Sequence, residues 1–106
     1  MIVTAWSNGR VGYGIKIKKK DRDRFFKRSW KSVILQFENS PNQAKVNVAK
    51  KSFWNLECRE LIKKEIGDWL QNNGLGSWPN GYPPELWLEP LGSSRFMLRK
   101  LTPNDK

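Results

Sequence analysis

Residues 10–31 read RVGYGIKIKKKDRDRFFKRSWK, and the interpretation of this stretch decides the kind of fold the chain builds. Ten of the twenty lysines and arginines lie here against only Asp21 and Asp23, a local charge of +8 within a net +10. The ten basic and eight acidic residues elsewhere nearly cancel. A concentrated positive field beside aromatic side chains is the electrostatic footprint of a nucleic-acid-binding surface. Within the stretch, Val11, Tyr13, Ile15 and Ile17 alternate with Gly12, Gly14, Lys16 and Lys18. A period of two indicates a strand with one buried face and one wet, lysine-bearing face. Gly12 and Gly14, bare on the wet face, permit strand curvature or the close approach of another backbone, that of a nucleic acid included. Asp21 then offers an N-cap, with Asp23 in the first turn, for a helix of at most two turns over 21–28. Phe25 or Phe26 turns inward from that helix, and its arginines turn out.

Downstream, Trp30 opens a run in which Val33, Leu35 and Phe37 alternate with Ser32, Ile34 and Gln36, the pattern of a central strand with both faces partly covered. Residues 38–43, ENSPNQ, turn the chain into a third, antiparallel strand carrying Val46 and Val48. Lys50-Lys51-Ser52 forms a second, smaller basic spot directly before Phe53-Trp54. Asn55, with Glu57 in the first turn, caps a predicted long helix over 56–73. Leu61, Ile62, Ile66, Trp69 and Leu70 share one face of it, Cys58 lies on the same side, and Glu60 with Lys64 forms a supporting pair on the wet face. Gly67 inside a helix costs roughly 1 kcal/mol relative to Ala, which implies that something packs closely against it. Gly74 ends the helix as a left-handed cap. The loop over 75–84, LGSWPNGYPP, is turn-rich and carries two aromatics able to fold back on the core. Leu86 and Leu88 alternate with Trp87 and Glu89, Gly92-Ser93-Ser94 turns the chain, and Phe96 and Leu98 alternate with Met97 and Arg99 in a closing hairpin. Residues 1–9 read as a flexible lead-in or a short edge strand, and 102–106 as a frayed end. The expected architecture is α+β and mostly antiparallel, in the order strand, short helix, strand, strand, long helix, strand, strand, as one domain over 1–106.

A chain of 106 residues can close one hydrophobic core without disulfides or metals. Its 38% hydrophobic content is low, but six Trp, five Phe and two Tyr compensate; each aromatic buries on the order of 150–250 Å². The single cysteine, Cys58, excludes an internal disulfide, and the absence of a secretory signal or long apolar run points to reducing cytoplasm, or to the nucleoid in a bacterium. The basic cluster carries no helical apolar stripe, which argues against a membrane surface. The absence of histidine removes His-based acid–base catalysis, nucleophile–His pairs and most zinc sites. Cys58 without a His partner reads as a small buried hydrophobe. Asp21 and Asp23, flanked by arginines, do not make the oxygen cluster a hard cation needs. Glu85 and Glu89 are the only strand acids placed even loosely for a metal-dependent nuclease. No Walker loop is present, and Gly12-Tyr13-Gly14 is too short for a dinucleotide fingerprint. A binding protein without cofactor or metal is expected rather than an enzyme.

Lys16, Lys18, Lys19, Lys20, Arg22, Arg24, Lys27 and Arg28 are the candidate phosphate ligands, and each contact would release counterions, so that affinity falls steeply with salt. Arginines on the short helix can also reach guanine edges in the major groove. Lys50, Lys51 and Arg59 offer a second grip, and two basic spots together make a clamp. Against this stand a merely solvated charged face, an RNA or single-strand module stacking bases on Trp6, Tyr13 or Trp87, and a basic interaction protein for an acidic protein partner.

The segments DRDRFF, SVILQF with AKVNVAK, FWNLECRELIKKEIGDWLQNNGL, and ELWLEPL with SRFMLRK resemble, in this order, the plant-type B-three DNA-binding pseudobarrel. They resemble equally its relatives in the effector domains of some restriction endonucleases. The resemblance covers about residues 11–100. It implies a seven-stranded open barrel that grips the major groove with two arms. The first arm carries over to Lys18, Lys19, Lys20, Arg22 and Arg24, and the second to Lys50, Lys51 and Ser52. Departures are that five strands are read here rather than seven, that Gly76-Ser77 replaces the family's Gly-Asp after the helix, and that the following loop is richer in Trp and Pro. Duplex DNA is the expected partner, favoured over RNA, with the protein acting as a monomer.

Overall fold

Two aromatic plugs close the two mouths of a barrel, Phe26, Phe53 and Phe96 at one and Phe37 with Trp69 at the other. The computed structural model describes residues 1–9 and 12–102, so the expectations for Arg10, Val11 and the end beyond Thr102 lie outside the described residues. The elements in chain order are β1 (Ile2–Ser7), β2 (Tyr13–Lys16), α1 (Lys19–Phe25), β3 (Ser32–Phe37), β4 (Gln43–Asn47), α2 (Lys51–Trp54), β5 (Glu60–Ile62), α3 (Lys64–Asn72), β6 (Glu85–Gly92) and β7 (Arg95–Lys100). The fold is α+β. One seven-stranded sheet runs in the order β4-β3-β7-β6-β1-β2-β5. Every neighbouring pair is antiparallel except β3 with β7. The edge strands β4 and β5 come into contact, so the sheet is nearly closed.

Alternation accounts for the inside of the barrel. Val3 and Ala5, Val33, Leu35 and Phe37, Ala44 and Val46, Leu86 and Leu88, and Phe96 and Leu98 are all buried, while their neighbours along each strand face outward. The ladder registers bring the starts of β1, β3, β5 and β7 and the ends of β2, β4 and β6 to one mouth. There α1 follows β2, and α2 links β4 to β5. At the opposite mouth α3 leaves β5 and inserts Ile66, Trp69 and Leu70, beside the turn that joins β3 to β4.

The central hairpin β3–β4 and the closing hairpin β6–β7 form as the alternation implies. Ser93 and Ser94 take φ of 52° and 59°, the left-handed pair that a tight two-residue hairpin turn requires. Gly74 ends α3 at φ 71°, and the ring of Tyr13 lies against Gly67, where an added Cβ would come within 2.7 Å of it. At Gly14 the closely approaching backbone is that of Leu61 on β5.

Three expectations are corrected. Residues 2–7 are not a lead-in or an edge but an interior strand, bonded to β2 on one side and to β6 on the other; the second partner is more than eighty residues away, beyond the reach of local pattern. The N-cap of the short helix is not Asp21 but Lys18, which makes no side-chain cap bond, and Asp21 lies in the first turn, where the macrodipole favours a carboxylate. The long helix over 56–73 is divided. Asn55 Oδ1 accepts the amides of Glu57 and Cys58, closing a turn, Leu56 is 68% exposed, and Arg59 has φ 57°. The chain then runs as β5 along β2, with Leu61 inward and Ile62 outward. Leu61 fits a helical face and a strand face equally well, and three residues are too few to show a period. Cys58 lies half-buried in the turn rather than on a helix. Glu60 is buried on β5, and Lys64 pairs with Asp68 instead. The observed order is therefore β-β-α-β-β-α-β-α-β-β. Among the described residues no helix is long and apolar enough to cross a membrane.

Trp69 is 5% exposed, packs on Phe37 and donates from Nε1 to the carbonyl of Glu38 at 3.0 Å. Trp69→Ala should therefore lower unfolding stability by roughly 3–5 kcal/mol in urea denaturation. A change below about 1 kcal/mol would contradict the packing of α3.

Candidate nucleic-acid interface

After Ile17 enters the core, Lys18, Lys19 and Lys20 emerge exposed at the start of α1. Phe26 fixes the far end of the helix, stacked on Phe96 at 4.7 Å between ring centroids and edge-on to Phe53 at 5.1 Å and Trp30 at 6.2 Å. Arg22 precedes Phe26 by four residues, so both share the inward face. It is 3% exposed. Its Nη1 donates to the carbonyls of Phe53 at 3.1 Å and Asn55 at 2.7 Å, and its Nε and Nη2 donate to Asp23 Oδ1 at 3.1 and 3.0 Å. As a phosphate ligand Arg22 is a misassignment: it joins α1 to α2 from inside. Asp23 accepts from Lys19 Nζ as well, at 2.9 Å. The bonds from Lys19 and then Arg22 hold its carboxyl below the ordinary value of 3.8.

Arg59 is corrected in the same way. Its Nε donates to the carbonyl of Ile17 at 2.8 Å and its Nη1 to that of Leu56, so the half-buried guanidinium fastens the turn after α2 to the end of β2. The carbonyl of Ser52 accepts the Arg59 amide at 3.1 Å, which gives this half-buried residue a structural task. Lys16 is half-buried on the outer face of β2, in register with Glu60.

Lys18, Lys19, Lys20, Arg24, Lys27, Arg28 and Lys51 are exposed, and Lys50 is half-buried at the N-cap of α2. Two of the arginines are ordered by rings: Arg24 Cζ lies 5.2 Å from the centroid of Phe25, and Arg28 Cζ 4.8 Å from that of Trp54. Such cation–π contacts contribute about 0.5–1 kcal/mol at exposed sites. Trp54 is held by its Nε1, which donates to the carbonyl of Val48 at 2.8 Å. The two basic spots therefore meet. Arg28 from one and Lys51 from the other line a common cavity of about 380 Å³ together with Ala49, Trp54 and Asn55.

Lys31, Lys45, Arg95 and Trp54 are not among the candidate ligands read from the sequence. Lys45 and Arg95 flank Ile34 on the outer face of three adjacent strands, both exposed, and Lys31 is exposed just before β3. Strand pairing creates the first grouping, so no local signal exists for it. Trp54 had a signal, its position directly after Lys50-Lys51. Acidic groups collect at the far mouth, where Glu38, Glu65 and Asp68 line a cavity of about 370 Å³ beside Trp69. Lys64 pairs with Asp68 there at 3.5 Å.

The aromatics weighed for base stacking are placed elsewhere. Tyr13 donates its hydroxyl to the carbonyl of Gly76 at 2.6 Å and packs against Gly67 and Trp78. Trp87 is half-buried on the outer face between Ile2 and Arg99, whose Cζ lies 5.5 Å from its ring centroid. Trp6 is half-buried on β1, in register with Gly14. No group of three or more metal-ligating side chains occurs among the described residues. The chain matches no protein-family model, no curated protein and no solved structure.

Arg22→Ala should lower stability by about 3 kcal/mol, since it strands buried carbonyls that had charged donors, whereas Arg24→Ala should stay within about 0.5 kcal/mol. Equal effects in a chemical-denaturation series would contradict the inward placement of Arg22. The Asp23 carboxyl, with its folded-state value below the unfolded one, contributes stability above the unfolded value, and that contribution is lost as pH falls through the folded value. A carboxyl-carbon NMR titration should find the Asp23 midpoint below the ordinary aspartate value of 3.8.

Proposed function

We propose that the mouth carrying α1 and α2 binds duplex DNA, and that the domain is a DNA-binding pseudobarrel of the B-three kind. One observation carries this reading: two basic spots far apart in sequence converge on one mouth around Trp54, with Arg28 and Lys51 lining the same cavity. A nearly closed seven-stranded sheet with two basic arms at one end is what the resemblance implies, and this supports it. Lys18, Lys19, Lys20 and Lys27 form the first arm's phosphate contacts, and Lys50 and Lys51 form the second's. Lys45 and Arg95 extend the positive surface along the outer face. Phosphate contacts position the duplex, and the ring-backed forks of Arg24 and Arg28 are the groups suited to guanine O6 and N7 in the major groove. Arg22 and Arg59 keep the two arms in register.

In this reading the protein does no chemistry on its ligand, needs no cofactor and works where the DNA is, in the cytoplasm or on a bacterial nucleoid. An RNA or single-strand module would stack successive bases on several aromatic platforms, whereas Phe26, Trp30, Phe53 and Phe96 at this mouth are packed against one another.

A gel-shift comparison of duplex DNA, single-stranded DNA and structured RNA at two salt concentrations tests the reading. Duplex DNA should bind most tightly, and more weakly at the higher salt. Tighter binding of RNA or of the single strand would overturn it. Replacing Lys18, Lys19 and Lys20 together by Ala should leave the melting temperature nearly unchanged and weaken duplex binding. The same replacement should reduce the slope of log K against log salt by about 0.9 for each phosphate that is no longer neutralised. Unchanged affinity would reject the first arm.

A further inference from the structure

We propose that the cavity between α2 and the segment after α1 is a pocket for one nucleotide lifted out of the DNA stack, a conclusion that rests on the duplex-DNA reading. Its walls have the composition such a pocket needs. Trp54 supplies a ring face, Arg28 and Lys51 supply two cations, and Asn55 supplies an amide. The Asn55 Oδ1 already accepts two backbone amides, so its Nδ2 is the group it can offer a ligand as a donor. The ring is immobilised by the bond from Nε1 to Val48 and by edge-on packing against Phe53 at 5.3 Å. A face that does not have to be ordered on binding stacks a base at little entropic cost.

The guanidinium of Arg28 shows how that face is used. A planar cation on an exposed side chain lies 4.8 Å from the ring centroid, so the site admits a flat group from the solvent side. A purine or pyrimidine entering the cavity takes that position. Arg28, displaced from the ring, meets the phosphate of the same nucleotide opposite Lys51. Arg22, its Cζ 5.3 Å from the ring and its donors bonded to backbone and to Asp23, stays in place and helps to fix the ring. The depression, about 380 Å³ and open to solvent, has room for one base with its sugar and phosphate. Extrusion costs least where a base is already unpaired. The substrate class is therefore duplex DNA with an unpaired, mismatched or bulged nucleotide.

The test uses three DNAs of common sequence: a fully paired duplex, the same duplex with one bulged 2-aminopurine, and the same duplex with a bulged abasic residue. The wild-type protein should bind the 2-aminopurine bulge about tenfold or more tightly than the abasic bulge, and the fluorescence of the bulged base should be quenched on binding. Trp54→Leu should abolish that difference between the two bulges. Because Trp54→Leu also removes the bond to Val48, the wild-type comparison of base with abasic residue decides by itself. Equal binding of the two bulges, with the paired duplex still bound, would overturn the pocket and leave the DNA reading standing. Failure to bind any of the three would overturn both.

Discussion

The buried guanidinium of Arg22 is the interaction on which the basic mouth depends. A charge this deep is tolerated only when its donors are satisfied, and here backbone carbonyls from α2 and its end and the carboxylate of Asp23 satisfy them. The bonds tie a helix that follows β2 to a helix that follows β4. Phe26, one turn further along, stacks on Phe96 and meets Phe53, so an apolar plug and a polar rivet act on the same pair of elements. With α1 and α2 locked together, the lysines and arginines on their outer sides keep fixed relative positions instead of sampling a volume.

Barrel topology then decides which side chains share a mouth. Antiparallel pairing brings alternate strand ends to the same mouth, so α1, α2 and the β6–β7 turn share one end, while α3 and the β3–β4 turn share the other. The exposed cations of α1 and α2 share the first, and Glu38, Glu65 and Asp68 line a cavity at the second, where Lys64 pairs with Asp68. Rigid arms limit the conformational entropy sacrificed on binding, which favours a shaped partner such as a duplex.

Much of the barrel was legible in the sequence because alternation is local. Val33 to Phe37, Leu86 with Leu88 and Phe96 with Leu98 declared their strands and inward faces, and Gly67 announced the close packing that Tyr13 provides. What was not legible needed distant partners. Residues 2–7 become an interior strand through β6, and Leu61 leaves a helical pattern because β2 offers it an open edge. At the candidate site, the exposed lysines were readable from charge alone. Arg22 was not, since its inward orientation follows from helical spacing to Phe26 and from carbonyls on a helix whose position the sequence does not reveal. Arg59 was misread for a related reason, as its backbone takes a left-handed conformation in a turn that periodicity had assigned to a helix.

The most direct measurement of the central claim is an amide chemical-shift map of the protein titrated with a short duplex. Changes should concentrate at Lys18 to Lys20, Arg24, Lys27, Arg28, Lys50, Lys51 and the indole of Trp54, leaving α3 and the β3–β4 turn unmoved. Changes centred on α3, or on the outer face around Trp87, would contradict it.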